Sequence, residues 1–553
     1  MQEIQVNIDQ TSYRLPYGTT VQAAFALALP KYPRTIFGAF CNGGVLELQE
    51  ELRADCTLSP VDYDSEEGKR IYERSLSLLI ITAVKNLFPT KHVEIDDAVG
   101  KSLLLHLTDK TLSHADVAAI SKEMQRLVAL SLPIKKYKWS VEEAIRFFAQ
   151  QDQMDKVKLL NYRRTPTITM YELNGTYDYF YGAMLPNTSY LKSFALKSRY
   201  PGMLVQYPND ANMQITEDIQ NHKKQYRVFA ESQEWCDILK VSTVAELNAM
   251  IESGKIREFI RINEALHDKS IAHIANEVVQ SKARIVLIFG PSCSGKTTFT
   301  NRLNVHLRVH GLEPVIISLD DFYKNRNTLP VLENGEVDLE TVDALDLDTL
   351  ITCFDGLLAG EEVTIPRFDF KTSSRMKEGH KLKITENQPI LVEGIHAMND
   401  KITSKLPEHL TYGVYVSAIT CLKLDDHNRV HTSDARLLRR MVRDMQFRGT
   451  PPEDTINMWK SVREGEVKWI YPNQEKADIM FNTTLHYELP LLHNFIYSQL
   501  DKIGVDDKNY LSARRIVKSL NYLLPIGEEV LKEIPPLSIL REFIGGNAFY
   551  MED

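Results

Sequence analysis

A glycine-rich segment, GPSCSGKT, carries the residue types and the spacing that hold a phosphate group. It fits the pattern G-x-x-x-x-G-K-[ST] through Gly290, Gly295, Lys296 and Thr297. Glycines let consecutive backbone N–H groups curl around an anion at a helix N-terminus, while Lys296 reaches the outer phosphates and Thr297 holds Mg²⁺. We therefore predict an ATP site, although a glycine-rich turn before an ordinary helix is the alternative. The other phosphate-binding residues that we expect in this loop are Ser292, Ser294 and Thr298.

A pair of carboxylates follows the next apolar run, in the segment SLDDFYKNR. Asp320 and Asp321 stand at the carboxyl end of a predicted strand, which is the edge where α/β sheets bind ligands. A carboxylate at this edge accepts the proton of an acceptor hydroxyl or helps to hold a metal. The alternative is that both residues only cap the following turn.

The elements that must position these residues are a parallel sheet and its covering helices. After Lys282, short apolar strands alternate with longer helical stretches, which is typical of that arrangement. The predicted strands are RIVLIFG, PVIISLD, PILVEGI, YGVYVS and ADIMFN. Upstream, two α+β units and a mostly helical stretch precede the sheet. We predict a multidomain α/β and α+β protein. Its predicted parts are two α+β units at 1–64 and 65–215, a helical connector at 216–280, the unit with the parallel sheet at 281–500, and a carboxyl-terminal helix and tail at 501–553.

Composition narrows the class of protein. The formal net charge of -9 argues against a generally basic wrapper of nucleic acids. The six cysteines form no C-x-x-C pair, which indicates free thiols in a reducing compartment and no metal framework. The start lacks a signal-peptide pattern, and the best apolar run, LSLLIITAV, is too short to span a bilayer. These features predict a cytoplasmic protein without a membrane span.

The carboxyl-terminal half resembles the uridine/cytidine kinase family, which belongs with the phosphoribulokinase-like P-loop kinases. The resemblance runs through DDFY, VDLETVDALDLDTL, GEEVTIPRFDF, PILVEGIHAM and RLLRRMVRDMQFRG. It implies that Asp320 is the catalytic base and, with Thr297 and Glu393, lies at the metal. It implies also that Glu340 and Arg440 orient a ribose.

The same resemblance implies ATP and Mg²⁺ as cofactors and a small nucleoside as substrate. Arg443 and Arg448 match arginines of the family's mobile lid, which supply positive charge around a transferring phosphoryl group. Arg436 and Arg439 lie in the same segment, and a solvated helix face is for them an equally good interpretation.

Three positions depart from the family pattern at the nucleobase end. Phe368 and Ser373 stand where the family has a tyrosine and a histidine that touch the base, and Thr450 replaces a further arginine of the lid. Phe368 can stack on a base, but the hydrogen bonds that identify uracil or cytosine are missing. The identity of the acceptor therefore stays open.

The first 210 residues resemble the front end of threonyl-tRNA synthetases, with a TGS-like domain followed by the editing domain. The resemblance runs through CNGGVLELQEELRADCTLSPVDYDSEEGKRIYERS and GTYDYFYGAMLPNT. It implies that Arg74, Leu78, Phe180 and Met184 replace the histidines and the cysteine of the editing site. The side chains of Leu, Phe and Met do not ligate a hard or borderline cation and do not transfer a proton. We therefore expect no deacylation by the usual route.

Three hypotheses follow. The leading one is an ATP-dependent kinase of a nucleoside 5'-hydroxyl, and the second keeps the kinase but takes another sugar or small alcohol. The third is an RNA-binding regulator that uses the P-loop as an ATP-dependent switch and the synthetase-like half to hold tRNA or another RNA. That half is equally compatible with a packing or dimerisation module, and the sequence leaves the oligomeric state open.

Overall fold

The computed structural model describes residues 2–98, 100–216, 222–325, 328–329, 338, 340–369, 372, 374–420 and 422–549. The chain begins with a five-stranded sheet in the order β2-β1-β5-β3-β4, against which one helix packs. Its elements are β1 (Glu3–Ile8), β2 (Thr11–Pro16), α1 (Val21–Ala28), β3 (Gly38–Cys41), β4 (Gly44–Glu47) and β5 (Cys56–Val61).

The next part combines a four-stranded sheet, β11-β12-β7-β6, with a three-stranded sheet, β10-β9-β8. The long helix α2 starts where Ser65 accepts a hydrogen bond from the backbone N–H of Gly68, and its middle is buried on all sides. The elements are α2 (Glu66–Leu87), β6 (Val93–Ala98), β7 (Ser102–Leu107), α3 (His114–Ala129), β8 (Lys135–Ser140), α4 (Val141–Gln150), α5 (Met154–Leu160), β9 (Thr167–Leu173), β10 (Thr176–Asp178), β11 (Ala195–Arg199) and β12 (Gly202–Gln206).

The carboxyl-terminal half contains the predicted parallel sheet, in the order β14-β19-β13-β20-β23 with every pairing parallel. The five predicted strands are confirmed, and the central ones are fully buried. The strands are β13 (Ile285–Phe289), β14 (Val315–Ser318), β15 (Val363–Ile365), β16 (Phe368–Asp369), β17 (Ser374–Arg375), β18 (His380–Leu382), β19 (Ile390–Glu393), β20 (Thr411–Ser417), β21 (Lys423–Asp425), β22 (Asn428–Arg429) and β23 (Ile479–Asn482).

Helices cover this sheet, including those of the stretch that the sequence suggests as a connector. The helix α6 packs on β23, and α8 packs on α9. The helices are α6 (Lys223–Leu239), α7 (Val244–Glu252), α8 (Ile256–Ser281), α9 (Lys296–Val309), α10 (Leu347–Leu358), α11 (Asp400–Thr403), α12 (Thr432–Arg448), α13 (Pro452–Gly465), α14 (Glu488–Asp501), α15 (Tyr510–Leu520) and α16 (Arg541–Ile544).

The chain's last segment returns to this core. Ile539, Leu540 and Phe543 are completely buried in the same hydrophobic cluster as β13 and α9. The tail is therefore a structural part of the carboxyl-terminal half.

Buried charges join the two halves of the molecule. Lys156, from α5, lies 3.1 Å from Asp178 and 3.1 Å from Asp425 of β21, and these side chains are almost completely buried. Lys423 lies between Glu94 and Asp96, at 3.1 and 3.2 Å. Because an unpaired buried charge is costly, these pairs fix how the halves sit against each other.

Candidate active site

The glycine-rich loop leaves β13 and enters α9 through backbone that needs glycine. A Cβ at Gly290 would lie 1.9 Å from the carbonyl oxygen of Val416. Gly295 has φ +85°, and a Cβ there would lie 2.6 Å from a side-chain carbon of Ile539. Only glycine meets both demands without displacing its neighbours, so the predicted loop forms at the predicted place.

This loop offers donors to an anion. The hydroxyl of Ser294 is buried and has no hydrogen-bond partner among the described residues. Lys296, the first residue of α9, donates to the carbonyl of Pro291 at 3.1 Å. An orphaned hydroxyl, a lysine and a helix N-terminus together fit the phosphates that the sequence predicts here.

Glu393 ends β19 directly beside the end of β14. Its carboxylate accepts a hydrogen bond from the hydroxyl of Ser318 at 3.0 Å and lies 3.5 Å from the hydroxyl of Thr297. Burial and the nearby Asp320 raise the pKa of Glu393 to about 7. Carboxylate and hydroxyl oxygens are ligands that Mg²⁺ prefers, so Glu393 and Thr297 fit the predicted metal site.

The two neighbouring aspartates have different surroundings. Asp321 accepts a hydrogen bond from the backbone N–H of Phe368 at 3.3 Å and so holds β16. Asp320 is exposed to the cleft, yet desolvation raises its pKa, while Lys296 acts in the opposite sense. Asp320 therefore has the surroundings of a base beside the phosphate loop, whereas Asp321 supports a strand.

The predicted ribose-binding residues lie next to the loop. Burial raises the pKa of Glu340 to about 7, and Arg440 acts in the opposite sense. Arg440 donates to the hydroxyl of Ser292 at 3.1 Å, so it links the loop to Glu340. The backbone of Gly465 leaves room for Glu340, because a Cβ there would lie 2.6 Å from the Cβ of Glu340.

Two of the three positions that depart from the family pattern, Phe368 and Thr450, lie among the described residues. The ring of Phe368 lies 5.8 Å from the ring of Tyr323, which places an aromatic pair at the nucleobase end of the cleft. Ser373 lies outside the described residues. The backbone N–H of Thr450 donates to the carbonyl of Asp444 at 3.1 Å just past the end of α12.

Two buried arginines of α12 donate hydrogen bonds to backbone carbonyls of the phosphate loop. Arg436 is 1% exposed and donates to the carbonyl of Ser292 at 3.1 Å. Arg439 is completely buried, donates to the carbonyl of Cys293 at 3.5 Å and pairs with Glu488. The interpretation of these two as a solvated helix face is wrong, because each satisfies a loop carbonyl and has a buried carboxylate as its partner.

The three other arginines of α12 surround one buried acid. Asp444 lies 3.3 Å from Arg440, 2.7 Å from Arg443 and 3.6 Å from Arg448. The charges of Arg443 and Arg448 also act to lower the pKa of Asp320, so both arginines lie within electrostatic reach of the base. The sequence did not lead us to Asp444, although an acid placed among closely spaced arginines of one helix is a signal for such a cluster.

The carboxyl-terminal tail contributes a carboxylate that the sequence analysis also missed. Glu542 accepts hydrogen bonds from the backbone N–H of Thr298 at 3.2 Å and from its hydroxyl at 2.8 Å. Asn547 donates to the same hydroxyl at 3.1 Å. Glu542 thus lies at the N-terminus of α9, where the loop is expected to hold a phosphate.

Comparison with known proteins identifies the carboxyl-terminal half. Residues 285–488 match the Phosphoribulokinase / Uridine kinase family. The uridine kinase of Staphylococcus epidermidis is 30% identical over 201 residues, which make up 36% of this chain and 87% of that protein. The chain belongs to the phosphoribulokinase/uridine kinase family. Its carboxyl-terminal half is therefore a P-loop kinase.

Solved structures give a weaker likeness. A chain described as a "Possible Uridine Kinase from Bacillus stearothermophilus" is 17% identical, with a TM-score of 0.27 over 38% of this chain and 97% of that one. The D-glycerate 3-kinase of Cryptococcus neoformans is 16% identical, with a TM-score of 0.22 over 50% of this chain and 89% of that one. Scores this low add nothing to the family assignment.

The amino-terminal half is similar to threonine–tRNA ligases. That of Lawsonia intracellularis is 30% identical over 167 residues, which are 30% of this chain and 26% of the ligase. That of Syntrophomonas wolfei is 27% identical over 192 residues, 34% of this chain and 30% of the ligase. The chain thus spans little more than a quarter of the length of these relatives. In the described residues, no helix is both long enough and apolar enough to cross a membrane.

The four residues expected at the editing-like site come together in the structure. Leu78, Phe180 and Met184 are buried in one hydrophobic cluster. Arg74 donates to the carbonyl of Ala183 at 3.1 Å and pairs with Glu67 at 2.6 Å. Apolar packing and a paired arginine therefore occupy these positions.

Proposed function

We propose that this P-loop kinase transfers the γ-phosphate of ATP to the 5'-hydroxyl of a nucleoside, which gives a nucleoside monophosphate and ADP. The observation that supports this proposal most is that Asp320 and Glu393 lie at the ends of neighbouring strands, within electrostatic reach of Lys296 at the start of α9. Arg440 lies within the same kind of reach of Glu340. A base, phosphate donors, a metal-type carboxylate and a hydroxyl-binding pair are what phosphoryl transfer to a ribose requires.

In this proposal Asp320 accepts the proton of the 5'-hydroxyl while the oxygen forms its bond to the γ-phosphorus. The bond between that phosphorus and the bridging oxygen breaks, and ADP leaves. Lys296, Arg443 and Arg448 hold the negative charge of the phosphates and exclude water from the closed site. Glu340 and Arg440 fix the ribose so that the hydroxyl faces Asp320.

Mg²⁺ would be held by Thr297 and Glu393, with Asp320 beside them, and it would neutralise charge that develops on the phosphates. The hydrogen bond from Ser318 orients the Glu393 carboxylate toward this position.

The test is ADP release by the purified chain with ATP, Mg²⁺ and each acceptor of a panel of nucleosides, sugars and small alcohols. The proposal predicts turnover that requires a nucleoside and disappears in Lys296→Ala. Turnover with sugars or alcohols alone would contradict it. Arg308→Ala, which removes an exposed cation from the far end of the same helix, is the matched control and should keep turnover.

A kinase of another hydroxyl compound is a second candidate, and Phe368 favours it. Its ring lies beside Tyr323 at the base end of the cleft, so it offers a surface for stacking and no hydrogen bond to a base edge. In the same panel, this candidate predicts that removing the nucleobase from the acceptor leaves turnover unchanged.

A further inference from the structure

A cavity of about 370 Å³ lies between the synthetase-like half and the carboxyl-terminal segment, away from the kinase site. One wall is formed by β8, β9 and the turn after α5, and the opposite wall by α15 and the residues that follow it. Because α15 lies outside the amino-terminal half that matches threonine–tRNA ligases, this cavity is a composite of both halves. Its volume lies within the range of small-molecule sites, about 300–1,000 Å³.

The lining of this cavity is cationic. The described lining residues contain five cations and no aspartate or glutamate. Lys136 and Arg514 pair with Glu50 and Asp501 outside the lining, and the other three cations are Arg163, Arg164 and Lys518. In the described part of the chain, none of these three cations forms an ion pair. Arg163 instead donates to the carbonyl of Thr167 at 2.9 Å and to the hydroxyl of Tyr522.

The surroundings of Lys518 disfavour its charged form. Desolvation and the charges of Arg74, Arg514 and Arg163 lower the pKa of Lys518, while Glu67 acts in the opposite sense. An anion bound beside Lys518 would offset this desolvation and the repulsion from the neighbouring arginines.

Tyrosine rings stand beside the cations. The ring of Tyr181 is half-buried and lies 5.7 Å from the ring of Tyr179 and 5.7 Å from that of Tyr522. A tyrosine cluster of this kind presents a face or an edge on which a planar ring stacks. The cavity therefore joins an anion site to an aromatic surface.

We propose that this cavity binds a free nucleoside phosphate, with the phosphate on Arg163, Arg164 and Lys518 and the base against Tyr181. The bound molecule is a ligand of the synthetase-like half and is separate from the substrates of the kinase site. The proposal does not depend on which hydroxyl the kinase phosphorylates.

Isothermal titration of the four nucleoside 5'-monophosphates into the full chain tests this assignment, with Arg164→Gln/Lys518→Gln as the variant. We expect one class of sites to weaken at least tenfold in that variant, while kcat and KM of the kinase do not change. Lys502→Gln/Lys508→Gln removes the same charge from exposed lysines near α15 and should leave the binding unchanged.

The ligand series distinguishes the sources of the anion. Unphosphorylated nucleosides and inorganic phosphate should each bind the affected sites at least tenfold more weakly than the monophosphates. Equal binding of inorganic phosphate, binding that the double variant retains, or binding of a short single-stranded RNA without binding of monophosphates would each overturn the proposal.

Glu542, in the carboxyl-terminal tail, leads to a second inference, which rests on the proposed function. The carboxylate of Glu542 accepts both the N–H and the hydroxyl of Thr298, at the first turn of the helix that follows the phosphate loop. Its charge also acts to raise the pKa of Glu393, so it adds negative charge to a site built for phosphates. We infer that Glu542 competes with a phosphate of ATP and that the tail restrains the kinase.

Calorimetric titration of ATP and Mg²⁺ into Glu542→Gln, which keeps the size of the side chain and removes its charge, tests this inference. We expect ATP to bind at least threefold more tightly than to the unmodified chain, while Glu529→Gln, an exposed change in the same tail, has no effect. Unchanged or weaker binding would overturn the inference. If neither protein binds ATP, it is the proposed function that fails.

Discussion

Of the two aspartates in the DDFY segment, Asp320 is the proposed base. Asp320→Asn should lower kcat by about 10²–10⁴-fold and leave ATP binding unchanged, because the change removes the proton acceptor and keeps the shape. Asp321→Asn is the comparison, since Asp321 bonds to the backbone of Phe368, and it should act mainly on KM of the acceptor. Nearly full turnover of Asp320→Asn with bound ATP would rule out Asp320 as the base.

Glu340 gives a second prediction, on the dependence of KM on pH. Its raised pKa, about 7, means that the carboxyl group is protonated at lower pH and then no longer accepts two ribose hydroxyls. KM for the nucleoside should therefore rise as pH falls through about 7. Steady-state kinetics between pH 5.5 and about 8.5 measure this, and Glu340→Gln should have a high KM that no longer changes in this range. A pH-independent KM in the unmodified chain would contradict the ribose role.

At the scale of elements, α12 carries two buried arginines behind the phosphate loop. Arg439→Met should lower the free energy of unfolding by about 3–5 kcal/mol, because it leaves the buried carboxylate of Glu488 without its cation. Arg439→Met/Glu488→Leu should recover part of that loss. Urea titration measures both, and Lys460→Gln is the control, since its pair with Glu464 is exposed and should change the free energy by about 0.5 kcal/mol or less. An equal loss in the single and double variants would contradict the pairing.

The sequence predicts the strands, the phosphate loop and the side of the sheet on which Asp320 and Glu393 lie, because each depends on a local pattern. It does not predict the burial of Arg436 and Arg439. The spacing of apolar residues along α12 does not show which carbonyls of the phosphate loop the helix contacts. Glu542 is equally hidden, because its contact with Thr298 joins residues 244 positions apart. The cluster around Asp444 is the one missed feature that charge pattern alone indicates.

At the scale of the whole molecule, the buried charges between the halves should make them unfold together. We therefore expect one calorimetric transition for the unmodified chain. Lys156→Met leaves Asp178 and Asp425 without their shared cation, so this transition should move to lower temperature or split. Lys158→Met, an exposed position on the same helix, is the matched control. An unchanged transition in Lys156→Met would show that the two halves are held together by other contacts.

Transfer of phosphate to the 5'-hydroxyl of a nucleoside is tested by the identity of the product. The chain is incubated with ATP, Mg²⁺ and uridine or cytidine, and the product is examined by phosphorus NMR and mass spectrometry. We expect one nucleoside 5'-monophosphate for each ADP formed, and no product from 5'-deoxyuridine or with Lys296→Ala. A phosphate on another hydroxyl, or ADP formed without a nucleoside monophosphate, would contradict the proposed function.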